Sequence, residues 1–153
     1  MRPDTATVVS GFFNIEIIIM KRIFYTALVA FIMMPYIVLA ADTKIYTDIS
    51  AEKLVELQGN TPDLVILDVR GEDQIADGMI KGATNLPVYS FKADLLANIV
   101  ETPDTPIVLY CNDIYCGASA LAASKAYKLG YTNLYKYPGG IADWKEKNLP
   151  LNP

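Results

Sequence analysis

Two cysteines, Cys111 and Cys116, are the only thiols in the 153-residue chain, and they stand five positions apart. Cys111 directly follows an uninterrupted apolar run, Pro106, Ile107, Val108, Leu109 and Tyr110, the pattern of a strand buried on both faces. Asn112 to Gly117 make a short turn, and Ala118 to Leu129 is a run of good helix formers closed by Gly130, a ready C-cap. A thiol at the carboxyl end of a buried parallel strand, facing the next helix, sits where open α/β folds place their ligands. Helix N-termini present unpaired N–H groups and partial positive charge, which stabilise an anion such as a thiolate. Cys111 is therefore the candidate nucleophile. The backbone N–H groups of Asn112, Asp113, Ile114, Tyr115, Cys116, Gly117, Ala118 and Ser119 are the candidate anion-binding loop.

Three arrangements are open to Cys116. It can pair with Cys111 in a disulfide, as oxidising compartments favour. It can act as a resolving thiol that attacks a persulfide on Cys111 and releases sulfide. It can also simply pack beneath the loop.

Composition removes several other chemistries. The chain has no histidine, which excludes Ser-His-Asp and Cys-His mechanisms and imidazole-containing zinc sites. Two cysteines alone do not make a structural zinc site, so neither a metal nor a cofactor is expected. From Ala41 onward ten Lys and Arg face fifteen Asp and Glu, and Arg70 is the one arginine among them. An acidic body without a basic cluster is a poor partner for nucleic acid.

The elements that must position Cys111 follow from the remaining pattern. Lys44–Tyr46 reads as an edge strand, and Ser50 as the N-cap of a helix ending near Leu57, before Gly59 and Asn60. Leu64–Leu67 and Ala83–Leu86 read as strands. Glu72–Ala76 reads as a helical turn closed by Gly78. Ser90 reads as the cap of a helix to about Ile99, with Ala93, Leu95, Leu96 and Ile99 at helical spacing. Asn133–Tyr137 is a fifth strand, and Pro138, Gly139 and Gly140 lead into a last helix around Trp144. Strands alternating with helices predict an α/β fold, a five-stranded, mainly parallel sheet with helices on both faces. Trp144 is expected in the core, with Tyr127, Tyr131, Tyr135 and Tyr137 half-buried around the last strand.

Upstream, Lys21 and Arg22 precede an apolar run from Ile23 to Met34, then Pro35 and Tyr36 to Ala40. That layout predicts an N-terminal signal peptide over residues 1–40, cleaved after Ala40, with Met20 as the true start and 41–153 as the exported, periplasmic or secreted domain. The alternative is an uncleaved anchor facing the periplasm, since the apolar stretch is about long enough to span a bilayer.

Four segments in register resemble the rhodanese, or sulfurtransferase, family: Leu64 to Arg70, Ile80 to Pro87, Tyr110–Cys111, and Gly139–Gly140 with Trp144, Leu149 and Pro150. The resemblance implies the five-stranded α/β fold and places Cys111 as a sulfur carrier that takes up sulfane sulfur as a persulfide. It also implies a small sulfur donor or persulfide, a thiol or cyanide-like acceptor or a protein partner, and structural roles for Asp68 and Arg70 near the site. The chain departs from the family pattern in its loop. Many active members carry an Arg-Ser pair in this loop, whereas no arginine lies between Cys111 and Ser119 here; the phosphatase and arsenate-reductase relatives need an arginine where Gly117 stands, which argues against them, and Met79 replaces a usual histidine. The loop instead resembles exported single-domain members with a second cysteine. Asp113 beside the nucleophile and the missing arginine fork disfavour a dianionic donor such as thiosulfate. A thiol–disulfide redox or sensor module using Cys111 and Cys116, and a non-enzymatic binding domain, are the alternative readings.

Overall fold

The computed structural model describes residues 20–24 and 44–152; residues 20–24 are helical. The leader expected over residues 1–40 thus lies, those five residues apart, outside the described residues. From Lys44 onward the chain is a unit of its own. Its strands are β1 (Thr47–Asp48), β2 (Val65–Asp68), β3 (Met79–Ile80), β4 (Ala83–Asn85), β5 (Ile107–Tyr110), β6 (Leu134–Tyr137) and β7 (Leu151–Asn152). Its helices are α1 (Ala51–Asn60), α2 (Ala93–Ala97), α3 (Ala118–Lys128) and α4 (Gly140–Glu146), with a 3-10 turn at Glu72–Gln74.

Five strands form one parallel sheet in the order β1-β6-β5-β2-β4, as the strand–helix alternation predicts. β5 lies at its centre, and all four of its residues are buried. Side chains alternate between the two faces. Ile107, Leu109 and Cys111 join Leu67, Val69, Leu96, Ala122, Ala123 and Ala126 in one core, beneath α2 and α3. Val108 and Tyr110 join Ile66, Leu54, Ile141, Tyr137 and Trp144 in the other, beneath α1 and α4. The alanines of α3 let that helix lie close to β5, directly after the cysteine-bearing turn. Trp144 is fully buried, donates Nε1–H to the Pro150 carbonyl at 2.9 Å, and meets the Tyr137 ring edge-on.

Several boundaries differ from the sequence expectation. α1 continues to Asn60, because Gly59 keeps helical geometry and the stop comes from Thr61, whose N–H bonds the Leu57 carbonyl. Its Ser50 cap is as expected, with Oγ accepting from Lys53 N–H at 3.3 Å. Ser90 caps nothing: its N–H closes a turn onto the Pro87 carbonyl, and α2 starts at Ala93 after an extended Lys92. Leu95 consequently faces solvent while Leu96 is buried. The edge strand lies at Thr47–Asp48, in register with Tyr135–Lys136 of β6, instead of at Lys44–Tyr46. The antiparallel pair β3–β7, which ties the tail beside α4, has no apolar alternation to announce it. Tyr127 is exposed, Tyr135 is half-buried, and Tyr131 and Tyr137 are buried.

Candidate active site

Cys111 stands at the carboxyl end of β5, one residue past the last ladder pair, on the α3 side of the sheet. The chain then folds back on itself. The Asp113 carboxylate accepts from Tyr115 N–H at 2.8 Å, and the Asp113 carbonyl accepts from Cys116 N–H at 3.2 Å. This is the local turn that an aspartate side chain favours. It brings Cys116 over Cys111, and the two sulfurs are joined in a disulfide with Cα atoms 6.3 Å apart. Cys111 is 5% exposed, whereas Cys116 is half-buried and the loop tip, Ile114 and Tyr115, stands in solvent.

Two of the eight loop amides proposed to bind an anion, Tyr115 and Cys116, are therefore engaged inside the loop itself. The amides of Ala118 and Ser119 lie in the first turn of α3, where helix geometry leaves N–H groups without intrahelical partners. Gly117 is the N-cap residue, at φ −79°, so no left-handed conformation is required there. Among the described residues no group of His, Cys, Asp and Glu side chains is placed to hold a metal ion.

The backbone of the candidate nucleophile is fixed from below by α4. Its first-turn donors, Ile141 N–H and Ala142 N–H, bond the carbonyls of Cys111 and Asn112 at 3.0 and 2.9 Å. This contact depends on Gly140, which has φ +62°; a Cβ there would lie 2.6 Å from the Cys111 carbonyl oxygen and from the Asn112 carbonyl group. Gly140→Ala is expected to destabilise the domain by about 1–3 kcal/mol from backbone conformation alone, and further by displacing the Cys111–Asn112 peptide. Gly82 has φ +82° with open space around it, so Gly82→Ala carries the conformational cost without the collision. Thermal unfolding and the alkylation rate of the reduced Cys111 thiol in the two variants check this: only the Gly140 variant should show an altered rate once folded. Equal rates in both would remove the positioning role.

Asp68 and Arg70 lie at the end of β2, and Asp68, between Leu67 and Val69 of the α3 side, points to the opposite face from Cys111. The carboxylate and guanidinium are fully buried and bonded to each other, Arg70 Nη2–H to Asp68 Oδ2 at 2.8 Å and Nε–H to both oxygens at 3.0 Å. Arg70 also donates to the carbonyls of Gln74 and Gly78, and Asn85 Nδ2–H bridges the carbonyls of Asp68 and Arg70. Tyr110 completes the cluster. Its hydroxyl donates to Asp68 Oδ2 at 2.7 Å and accepts from Ile80 N–H at 3.0 Å. Neither Tyr110 nor Asn85 is visible as a polar anchor in sequence, where each reads as an ordinary strand residue.

Burial, and then the neighbouring Asp68 carboxylate, push the Tyr110 phenol far above the usual tyrosine range. Burial followed by Asp143 does the same to Tyr137. Both phenols thus stay protonated in the folded state, while in the unfolded chain they ionise near pH 10. The stability they contribute is fully present below that pH and is lost as pH rises above it. Tyr110→Phe is expected to cost about 1–3 kcal/mol at neutral pH by leaving Ile80 N–H unpaired, and to make the alkaline decline shallower. Urea unfolding between pH 7 and 11 measures both; an unchanged alkaline slope would exclude this phenol as the cause.

A cavity of about 400 Å³ borders the loop; among its lining residues the charged ones are Glu52, Asp113, Asp143, Glu146 and Lys147, the last paired with Asp143. The charged groups sharing this cavity with Asp113 are thus mostly acidic.

Comparison with known proteins fits this geometry. The profile of the rhodanese-like domain family matches residues 50–147. A sulfurtransferase of Allochromatium vinosum is 31% identical over 106 residues, covering 68% of this chain and 92% of that protein. The uncharacterized protein YibN of Escherichia coli is 29% identical over 125 residues, covering 81% and 82%. Among solved structures, a rhodanese-related protein of Thermoplasma volcanium superposes with a TM-score of 0.57 at 26% identity, over 70% of this chain and 98% of that one.

Proposed function

The chain belongs to the rhodanese-like domain family, and from that premise we propose that it is an exported sulfurtransferase that carries sulfane sulfur as a persulfide on Cys111. The observation that supports this most is the placement of Cys111, at the end of the central strand with its carbonyl held by α4 and the first turn of α3 beside it. In the first half-reaction the reduced Cys111 thiolate attacks the outer sulfur of a persulfide donor, and the donor leaves as a thiolate. The Cys111 persulfide anion is held by backbone N–H groups, among which those of Ala118 and Ser119 supply the partial positive charge of a helix N-terminus. In the second half-reaction a thiol or cyanide-like acceptor removes the outer sulfur and Cys111 returns as thiolate. No side-chain acid or base is required for either exchange.

The disulfide to Cys116 is the resting, oxidised form of this site, and sulfur transfer requires its reduction. Export to an oxidising compartment, carried by the Lys21–Arg22 leader pattern with cleavage after Ala40, supplies the conditions under which such a bond forms. Among the described residues no helix is long and apolar enough to cross a membrane. A second reading, a thiol–disulfide redox module, is favoured by the same bond and would need no sulfur donor at all.

Asp113 and the carboxylates beside it repel a dianion, and no arginine lies between Cys111 and Ser119 to offset them. Cysteine persulfide is therefore expected to load the reduced protein faster than thiosulfate by about tenfold or more, a margin that narrows with salt. Release of the transferred sulfur, as thiocyanate with cyanide or as sulfide with a dithiol, measured with each donor and with or without prior reduction, tests the proposal. Turnover confined to the reduced protein and led by the persulfide supports it. Robust thiosulfate turnover by the untreated protein would contradict it, and oxidation of a dithiol without any sulfur transfer would favour the redox module.

A further inference from the structure

We propose that Cys116 is a resolving residue which discharges the Cys111 persulfide as sulfide, making the domain a dithiol-dependent persulfide reductase. This rests on the reading of Cys111 as the sulfur carrier and names the fate of the sulfur.

Three observations carry it. The Asp113 turn, with bonds from Tyr115 N–H and Cys116 N–H, already brings the Cys116 sulfur into bonding contact with the Cys111 sulfur. The loop thus accommodates the product of an attack by Cys116 on Cys111, and an intramolecular nucleophile so tethered outcompetes thiols from solution. Access points the same way. Cys111 is 5% exposed and packs with Leu67, Val69, Leu109 and Ala122, whereas Cys116 is half-buried beside the exposed Ile114 and Tyr115. In the disulfide, an incoming reductant therefore reaches the Cys116 sulfur before that of Cys111. The chain also has no third cysteine, so no other internal thiol competes for the persulfide.

The cycle balances in three exchanges. The Cys111 thiolate takes the outer sulfur of a donor persulfide, and the donor leaves as a thiolate. The persulfide first takes a proton from solvent; the Cys116 thiolate then attacks Cys111 Sγ, the Cys111–Cys116 bond forms, the bond to the outer sulfur breaks, and that sulfur leaves with the electron pair and its proton as hydrosulfide. The sulfane sulfur is reduced and the two thiols are oxidised, which gives the disulfide found in the structure. A dithiol reductant, in practice a dithiol protein or dithiothreitol, then attacks the more accessible Cys116 sulfur. It expels Cys111 as thiolate and, by closing its own disulfide, restores both thiols. One sulfide is released for each dithiol oxidised.

The test uses reduced wild-type protein and the Cys116→Ser and Cys116→Ala variants, each loaded anaerobically with cysteine persulfide labelled in its outer sulfur and rapidly desalted. Without added thiol, the wild type is expected to release its label as sulfide and finish as the intramolecular disulfide. Both variants should hold one added sulfur at least about a hundredfold longer. Wild-type protein that keeps its sulfur as long as the variants would overturn the proposal, as would variants that release sulfide as fast. Failure of all three to take up sulfur would overturn the carrier reading itself, and with it this one.

Discussion

Cys111→Ser is expected to lower sulfur transfer by a factor on the order of a thousand or more, because a hydroxyl is neither ionised at neutral pH nor able to carry a second sulfur reversibly. The substitution also removes the disulfide, whose loop-closure contribution at this short spacing is about 2 kcal/mol. Cys116→Ser removes the same bond. Comparing the two variants therefore separates chemistry from stability. Both should unfold at similar denaturant concentrations, yet the Cys116 variant should still form thiocyanate from cysteine persulfide and cyanide while the Cys111 variant does not. Comparable turnover by both would remove Cys111 from the reaction.

The second large effect concerns the ion pair on the other face of the sheet. Arg70→Met leaves a fully buried Asp68 carboxylate without its partner and takes the donors away from the Gln74 and Gly78 carbonyls. Breaking a buried pair from one side is expected to cost about 3–5 kcal/mol. The exposed Asp77, which also pairs with Arg70 and with Lys145, provides the contrast. Asp77→Asn should cost no more than about 1 kcal/mol, as exposed pairs do. Urea unfolding gives both values. Sulfur loading per folded molecule should be unchanged in the Arg70 variant, since Asp68 and Arg70 stand away from Cys111. A folded Arg70 variant that no longer loads sulfur would make this arginine part of the reacting site.

The fold was legible because its signals are redundant. The Ile107–Tyr110 run, the alanines of α3 and the alternation of apolar strands with helices all specify a parallel sheet with covered faces. What escaped the sequence is what depends on approach between distant segments. Tyr110 reads as one more apolar strand residue, although its hydroxyl joins Asp68 to Ile80 N–H across 42 and 30 positions. Gly140 reads as a turn residue, and only the fold shows its Cα pressed against the Cys111–Asn112 peptide. Ser90 reads as a cap because its residue type suits one, but the preceding Pro87 commits the backbone to a tight turn first. For the candidate site, position along the chain was enough to place Cys111 and its loop at the carboxyl end of the central strand. The spacing to Cys116 was compatible with a disulfide, a resolving thiol or simple packing, because five residues close in any of those ways. The Asp113 turn, formed by a side chain bonding its own backbone two residues on, is what brings the sulfurs together.

In the proposed reaction, sulfur resides on Cys111 and on no other atom of the protein. Intact-mass and peptide mass spectrometry of the reduced Cys111→Ser and Cys116→Ser variants, each exposed to cysteine persulfide and desalted, tests it most directly. One added sulfur on the peptide containing Cys111 of the Cys116 variant, with none on the Cys111 variant, is the predicted result. Sulfur retained on Cys116 when Cys111 is absent, or an unmodified Cys111 when Cys116 is absent, would contradict it.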